Sequence, residues 1–459
     1  MRMVERFRLS PSGLWWDAGK SAGTRLIVLV TSAILGIIIT RMIILNYGDA
    51  AYAQYGLIVA MGTLLPFADL GIAAAVMNSV GGSERPGTDD AVRRTLLSAL
   101  RVSCVSGAVV VLLSVVITSL GWWVPILGSA LIPGQGVWAA AISLMLIGVA
   151  IPFGVGQRVL SALGKNHVAV GLLGLQSPLV LGILAVVVAT GLQVGGLLPI
   201  IPYFVTLLIV IIATVIALAW LRPAFPHALR QLVEVRRHRG APVMNQALPL
   251  MVQMIALPVA MQTDRIVLSH VSTVADLSEY NLASQIFGPV LSLIGAAGFT
   301  LWPVFAKARS RNEHQSPYPV ALGFGLLAAL ICLALALLSP FLADIASDGQ
   351  VELSTTILVS FGLLMTLQGL KYPLGIYLTD TRGLWFQAYM VIAMVPVNLA
   401  LSILLAERVG AAGPVIGSVV GVALFQVVAN ALYIRIMHPA PAADPTGDTT
   451  QAGSGDVRS

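Results

Sequence analysis

The chain has 459 residues, of which 57% are hydrophobic and only 10% charged, and its mean hydropathy is +0.90. Soluble domains carry roughly 25% charged residues, so a water-soluble globular protein is excluded. The formal net charge of +6 suggests an anionic partner, but its distribution along the chain excludes nucleic acid, as follows.

The N-terminal segment is basic, with Arg2, Arg6, Arg8, Lys20 and Arg25. The apolar stretch that follows, Leu26 to Leu45, is too long for a signal peptide and lacks a convincing cleavage site. It is expected to be a retained first helix, anchored at the interface by Trp15 and Trp16. Apolar runs close to the ~20 residues that span a bilayer then recur, about twelve in all. They centre near Ala33, Thr63, Val110, Ile147, Val180, Val210, Ala256, Leu293, Leu330, Leu364, Val395 and Val422. Lipid offers backbone groups no hydrogen-bond partner, so such runs must be helices. A β-barrel fails because the runs are continuous rather than alternating. Cys104 and Cys332 lie inside apolar spans without metal or redox spacing, so no cofactor or metal is expected. The last stretch, 438–459, is rich in Pro, Ala, Gly, Asp and Thr and is expected to be a disordered cytoplasmic tail.

Basic residues fall in alternate loops. After the N-terminus come Arg85, Arg93, Arg94 and Arg101, then Arg158 and Lys165, then Arg222, Arg230, Arg236, Arg237 and Arg239. Lys307, Arg309, Arg311, Lys371, Arg382, Arg435 and Arg458 complete the series. The intervening loops carry Asp49, Asp276, Asp344, Asp348, Glu352 and Glu407, with Arg408 their lone base. This positive-inside pattern places both termini in the cytoplasm and the chain in the inner (plasma) membrane, with membrane lipids and no nucleic acid as its surroundings.

An internal echo divides the spans. Arg41 opens a segment that reaches Tyr55, and Arg265 opens one that reaches Tyr280. Leu163-Gly-Lys-Asn166 and Asp380-Thr-Arg-Gly383 each precede a span, and Gly191 to Gly196 and Val409 to Gly413 each lead into a glycine-rich helix start. The offsets are all about 220 residues, as a duplicated unit requires. Six helices per unit is even, so the repeat is parallel, about an axis along the membrane normal. The expected fold is all-α: a polytopic membrane protein of about twelve helices in two parallel six-helix lobes around a central cavity. The boundaries expected are a cytoplasmic segment 1–20, an N-terminal lobe 21–221, a basic inter-lobe loop 222–243, a C-terminal lobe 244–437 and the tail.

Charges inside spans mark the candidate site. A guanidinium at membrane depth costs about 3 kcal/mol, and Arg41 and Arg265 both incur it. Arg41 lies ~22 Å along the first span, in its outer-leaflet half. Either arginine can snorkel to the interface or line a cavity that attracts an anionic head group, for which a guanidinium's planar fork suits phosphate. Asp69 and Asp264 are candidates for ion coupling or for charge pairing, Asp69 with Arg25 or Asn78. Gln253, Gln262, Asn281, Gln285, Gln368 and Asn398, with Pro249, Pro258, Pro289 and Pro396, make their spans more polar, as hydrated faces or as interhelical hydrogen bonds. No Walker loop, HExxH or GxSxG is present. The longest outer loop, Gly121 to Val137, holds no ionisable residue, which argues against catalysis.

The stretch from Arg41 to Asn78, with YGDAAYAQYGLIVAMGTLLPFADLGIAAAV, resembles the start of polysaccharide exporters and O-antigen flippases. These belong to the multidrug/oligosaccharidyl-lipid/polysaccharide exporter superfamily. Asp264-Arg265 through Tyr280-Asn-Leu-Ala283 is similar to the opening of that family's second half, and Trp302-Pro303 to the end of its eighth span. The resemblance implies two lobes about a V-shaped cavity, alternating access, and a polyprenyl-diphosphate-linked oligosaccharide moved from inner to outer leaflet for surface polysaccharide or lipopolysaccharide synthesis. It carries Arg41, Arg265, Asp69 and Asp264 onto positions where such proteins place charges. Arg25 would meet the diphosphate first, and other glycan-assembly membrane proteins are expected partners. A multidrug or small-solute antiporter of the same superfamily and a non-transporting scaffold are the alternatives.

Overall fold

The computed structural model describes residues 11–62, 72–232, 234, 263–299, 301, 305 and 316–437, and every regular element among them is a helix. The first, α1 (Pro11–Met61), is broken at Gly48, whose φ of 82° and ψ of 174° belong to no helix. Glycine is the residue that adopts such a φ without strain. The chain folds back there. Thr40 and Tyr52 both donate to Gln285 Oε1, at 2.6 and 3.4 Å, although an unbroken helix would hold them about 18 Å apart. The first two apolar runs are therefore antiparallel neighbours.

The first half continues with α2 (Ile72–Gly81), α3 (Asp90–Ser119), a short α4 (Trp123–Leu127) and α5 (Gln135–Ala162). Asp89 caps α3 by accepting the Ala91 N–H at 2.8 Å, and also takes the Ser83 hydroxyl at 2.6 Å. The Ser83 and Ala91 bonds hold its carboxyl below the ordinary carboxylate range. One apolar run is interrupted at Leu175 into α6 (Asn166–Gly174) and α7 (Gln176–Ala189), and α8 (Ile200–Trp220) follows. Residues 224–230, expected as part of a loop, form α9 (Ala224–Arg230). Ala224, Phe225 and Ala228 recur at helical spacing and are buried, which docks this turn on the bundle.

The second half comprises α10 (Asp264–Val271), α11 (Val274–Phe299), α12 (Tyr318–Ser347), α13 (Thr355–Tyr377) and α14 (Thr381–Val409). It ends with α15 (Ala412–Gly421), a π-helical turn over Val422–Val428 and α16 (Ala429–Met437). Both echoes in the sequence fall at helix starts: Asn166 begins α6, and Asp380 caps α14. Among the described residues nine helices are long and apolar enough to cross a membrane, and α1 counts once among them although Gly48 divides it. The chain is a multi-pass all-α membrane protein. The N-terminal ten residues, most of the seventh run around Ala256, and 438–459 lie outside the described residues.

The core divides unevenly. At the end of the bundle that holds the Gly48 turn, one buried cluster unites both halves, including Ile43, Leu57, Leu127, Leu268, Phe287 and Phe361. At the opposite end, where α9 lies, there are two separate clusters. One holds Val76, Leu96, Leu160 and Phe225 of the first half, and the other Ala321, Leu374, Leu378 and Ile434 of the second. Among the described residues, the halves thus share one cluster at the Gly48 end and form separate clusters at the other.

Small residues set the helix spacing within each half. At Gly413 a Cβ would lie 2.3 Å from Ala406 N and 2.4 Å from Leu405 C, backbone atoms that cannot step aside. Gly413→Leu is expected to destabilise by about 1–3 kcal/mol through overpacking. Gly288→Ala, whose Cβ would meet nothing within 4 Å, is the matched control. Thermal unfolding in detergent should show a lowered midpoint for the first and none for the second.

Candidate functional site

The sequence singles out Arg265, and the structure surrounds it with partners from the same half. It follows Asp264 at the start of α10, and its Nε donates to Asn281 Oδ1 at 2.7 Å while Nη2 donates to Ser284 Oγ at 2.9 Å. Its guanidinium carbon lies 5.1 Å from the centre of the Tyr280 ring, a cation–π distance. Positions 280, 281 and 284 share one face of α11 at i, i+1 and i+4, which is why one side chain reaches all three. Arg265 is half-buried rather than snorkelled to the surface.

Asp264 is 2% exposed and accepts the Tyr280 hydroxyl on Oδ2 at 3.0 Å. Its Oδ1 has no hydrogen-bond partner among the described residues, although Ser418 is near enough to interact. Ser418 and Ser402 both donate to Asn398 Oδ1, at 3.4 and 3.5 Å, so α14 and α15 carry a buried polar layer behind the carboxylate. Asn398 therefore acts as interhelical glue. Tyr280 also packs on Phe361, ring centres 5.5 Å apart, which fixes the hydroxyl's direction.

Asn281 connects this cluster to the first half. Its Nδ2 donates to Ala53 O at 3.4 Å, and a Cβ on Gly56 would meet the Asn281 amide at 2.2 Å. Gly56 is what lets α1 and α11 approach. One turn further in, Gln285 receives Thr40 and Tyr52. At the turn itself, Ser278 Oγ donates to Asp49 O at 3.4 Å. These residues make a polar seam between the halves.

Arg41 belongs to that seam. Its Nη1 donates to Ile345 O at 2.7 Å and Asp344 O at 3.4 Å, and its Nη2 pairs with Asp348 at 2.9 Å. Both carbonyls belong to the last turn of α12, where Asp348, at φ 54°, caps the helix by donating its own N–H to Asp344 O at 2.8 Å. The ion pair is wet, with side chains 39% and 59% exposed. Nearby, the Ser129 N–H donates to Ser269 O at 3.1 Å, and His270 Nε2 lies 3.0 Å from Pro125 O. His270, in the last turn of α10, is exposed yet bridges the halves.

Arg41 and Arg265 thus do not share partners. The Arg–Tyr echo becomes a contact only in the second half, because Arg41 reaches across the seam instead. The Arg25 side chain and all of Asp69 lie outside the described residues. Reading the sequence left Asp348 among the outer-loop acids, and its available signal was position: an acid ending a span at the depth of an intramembrane arginine. Lys371, grouped there with the basic loops, lies within α13 and donates to Gln368 Oε1 at 3.0 Å.

No family model matches the chain, and no curated protein matches it. Solved structures do. An inward-facing multidrug resistance MATE family transporter of the MOP superfamily aligns with a TM-score of 0.63 at 15% identity, covering 91% of this chain and 98% of the other. Lipid II flippase MurJ, in an inward closed conformation, aligns with a TM-score of 0.63 at 12% identity over 90% of this chain and 87% of the other. A point mutant of the Vibrio cholerae MATE transporter VcmN aligns with a TM-score of 0.55 at 15% identity over 93% and 98%. The chain has the fold of these transporters.

Tyr280→Phe removes the hydroxyl that donates to Asp264 Oδ2. The expected loss is about 1–3 kcal/mol, the cost of a buried acceptor left unpaired. Asp264→Asn in the same background should recover part of it, because the neutral amide needs less solvation. Thermal midpoints of the two single variants and the double variant in detergent decide this.

Proposed function

We propose that this protein is a transporter that moves a polyprenyl-diphosphate-linked oligosaccharide from the inner to the outer leaflet by alternating access. The observation that carries the reading is the uneven core: among the described residues the halves share one apolar cluster at the Gly48 end and have separate clusters at the α9 end. Such an arrangement suits an intermediate open toward the basic loops, where a substrate made in the cytoplasm would enter. The lobes are 21–221 and 244–437, joined by 222–243, in the inner membrane with both termini cytoplasmic. Glycan-assembly membrane proteins would hand the substrate over.

Within this cycle Arg265 is the diphosphate-facing cation of the second half, held by Asn281, Ser284 and Tyr280. Arg25 meets the head group first. Arg41 becomes available when the seam parts and its bonds to α12 are released. Asp264, and Asp69 in the first half, are the candidate ion or proton carriers. The similarity to a lipid II flippase fold supports a lipid-linked cargo.

The MATE-like fold and a buried carboxylate favour a second reading, a cation-coupled small-solute antiporter. Flipping of a fluorescent polyprenyl-diphosphate oligosaccharide in proteoliposomes separates the two. Wild type should move the lipid. Arg265→Ala and Arg41→Ala, both still monodisperse, should slow it about tenfold or more, equivalent to ~1.4 kcal/mol. Efflux of a cationic dye without any lipid movement would overturn the flippase in favour of the antiporter.

A further inference from the structure

A second feature is a crevice away from the seam. It has a volume of about 670 Å³ and lies on the membrane-facing side of the first half, between α3, α5 and α8 and beneath α9. Its walls are Cys104, Val111, Phe153 and Ile211, with Leu112, Val149 and Val215 exposed along its rim. Small residues hollow its floor: a Cβ on Gly107 would fall 2.4 Å from Gly148 O, so α3 and α5 touch there and leave space above. The polar atom in the wall, Thr214 Oγ1, is already engaged with Phe153 O and Val210 O at 2.7 and 2.8 Å. The groove therefore recognises hydrocarbon and nothing polar.

Its length and its mouth define the occupant. From Leu100 to Val115 along α3 the groove runs about 22 Å, enough for a chain crossing one leaflet, about half of a ~30 Å core. The mouth lies at the α9 end. There Phe225, Leu229 and Leu232 roof it, and Trp220 with Lys165 Nζ 5.7 Å from its ring marks the interface. Arg101 clamps the roof through Leu232 O at 3.1 Å and Gln231 O at 3.0 Å, and Arg93 bonds Gln231 Oε1. Arg93, Arg94, Arg101, Arg222 and Arg230 flank this end against Asp89, Asp90 and Glu234, an excess of positive charge even though Asp90 pairs with Arg93 and Arg94. Arginines beside an apolar slot at the interface match a lipid that is anionic at one end and apolar beyond it.

We propose that the groove is a binding site for an anionic phospholipid, one acyl chain lying between α3, α5 and α8 and the head group on the arginines beside α9. The site belongs to the first half alone and does not depend on what the protein transports. Because α9 begins the segment that joins the halves, lipid in the groove braces that junction.

The test uses the full-length protein in nanodiscs of phosphatidylcholine doped with phosphatidylglycerol that carries a diazirine at its acyl terminus. After irradiation, adducts are mapped by peptide mass spectrometry. Adducts should concentrate on 104–115, 148–153 and 211–218, and fall about threefold when the tagged lipid is phosphatidylcholine. Ala108→Trp fills the groove and should remove most of them, and Ala108→Leu should remove fewer and serves if the larger residue prevents folding. Equal labelling of the exposed α12 face around Leu326 and Leu337 would overturn the proposal. So would a folded Ala108 variant that labels like wild type, or preferential capture of a diazirine polyprenyl phosphate over phosphatidylglycerol.

Discussion

A bilayer core provides no hydrogen-bond partner, and the arrangement of this chain depends on that constraint more than on any single contact. The backbone answers it by forming helices. The polar side chains have only one another, and they collect where helices meet. Thr40, Tyr52 and Gln285 satisfy each other between α1 and α11. Arg265 donates to Asn281 and Ser284, Asp264 accepts the Tyr280 hydroxyl on one of its two oxygens, and Asn398 accepts from Ser402 and Ser418. The seam between the halves and the layer behind Asp264 are both consequences of moving polar groups out of lipid.

The helices were legible because they follow from composition: a long apolar run in a chain this hydrophobic has one possible structure. The helix starts repeated across the halves were legible for a similar reason, since glycine and a capping Asp such as Asp380 are local signals. Partners were not. Nothing near Arg41 in sequence points to Asp348 or to the carbonyls of Asp344 and Ile345, because the choice follows from how far α12 extends past the turn at Gly48. The break at Leu175 and the short helix α9 were also missed. The first had a local signal, because Pro178 offers no N–H to the Gly174 carbonyl, whereas α9 forms because Ala224, Phe225 and Ala228 dock on the bundle.

The internal echo shows how a repeat can persist in sequence while its contacts diverge. Arg41 and Arg265 occupy corresponding depths, yet Arg41 bonds across the halves while the hydrogen bonds of Arg265 to Asn281 and Ser284 lie within its own. Asn281 explains part of this. It sits between Arg265 and α1, taking the guanidinium on Oδ1 and reaching Ala53 O with its amide, so Arg265 influences the seam through a neutral intermediary. Arg41 has no such intermediary and meets Asp348 directly, in contact with water. A charge held inside one half keeps its environment if the halves separate, whereas a charge shared across the seam does not.

That difference bears on how firmly the closed end is held. An exposed ion pair contributes about 0.2–1 kcal/mol, and interhelical hydrogen bonds in membranes average about 0.6 kcal/mol. The nine such contacts named across the seam come to about 5 kcal/mol, comparable to the ~5.5 kcal/mol that separates a 99:1 population from its inverse. The polar seam is therefore a closure of the size that differential binding can reverse. The apolar cluster beneath it, with Ile43, Leu268 and Phe287, adds no hydrophobic drive of its own, because lipid is as apolar as these side chains. It contributes packing complementarity instead, which is lost all at once when the surfaces part. A closure built from many weak, jointly broken contacts favours two discrete arrangements over a continuum.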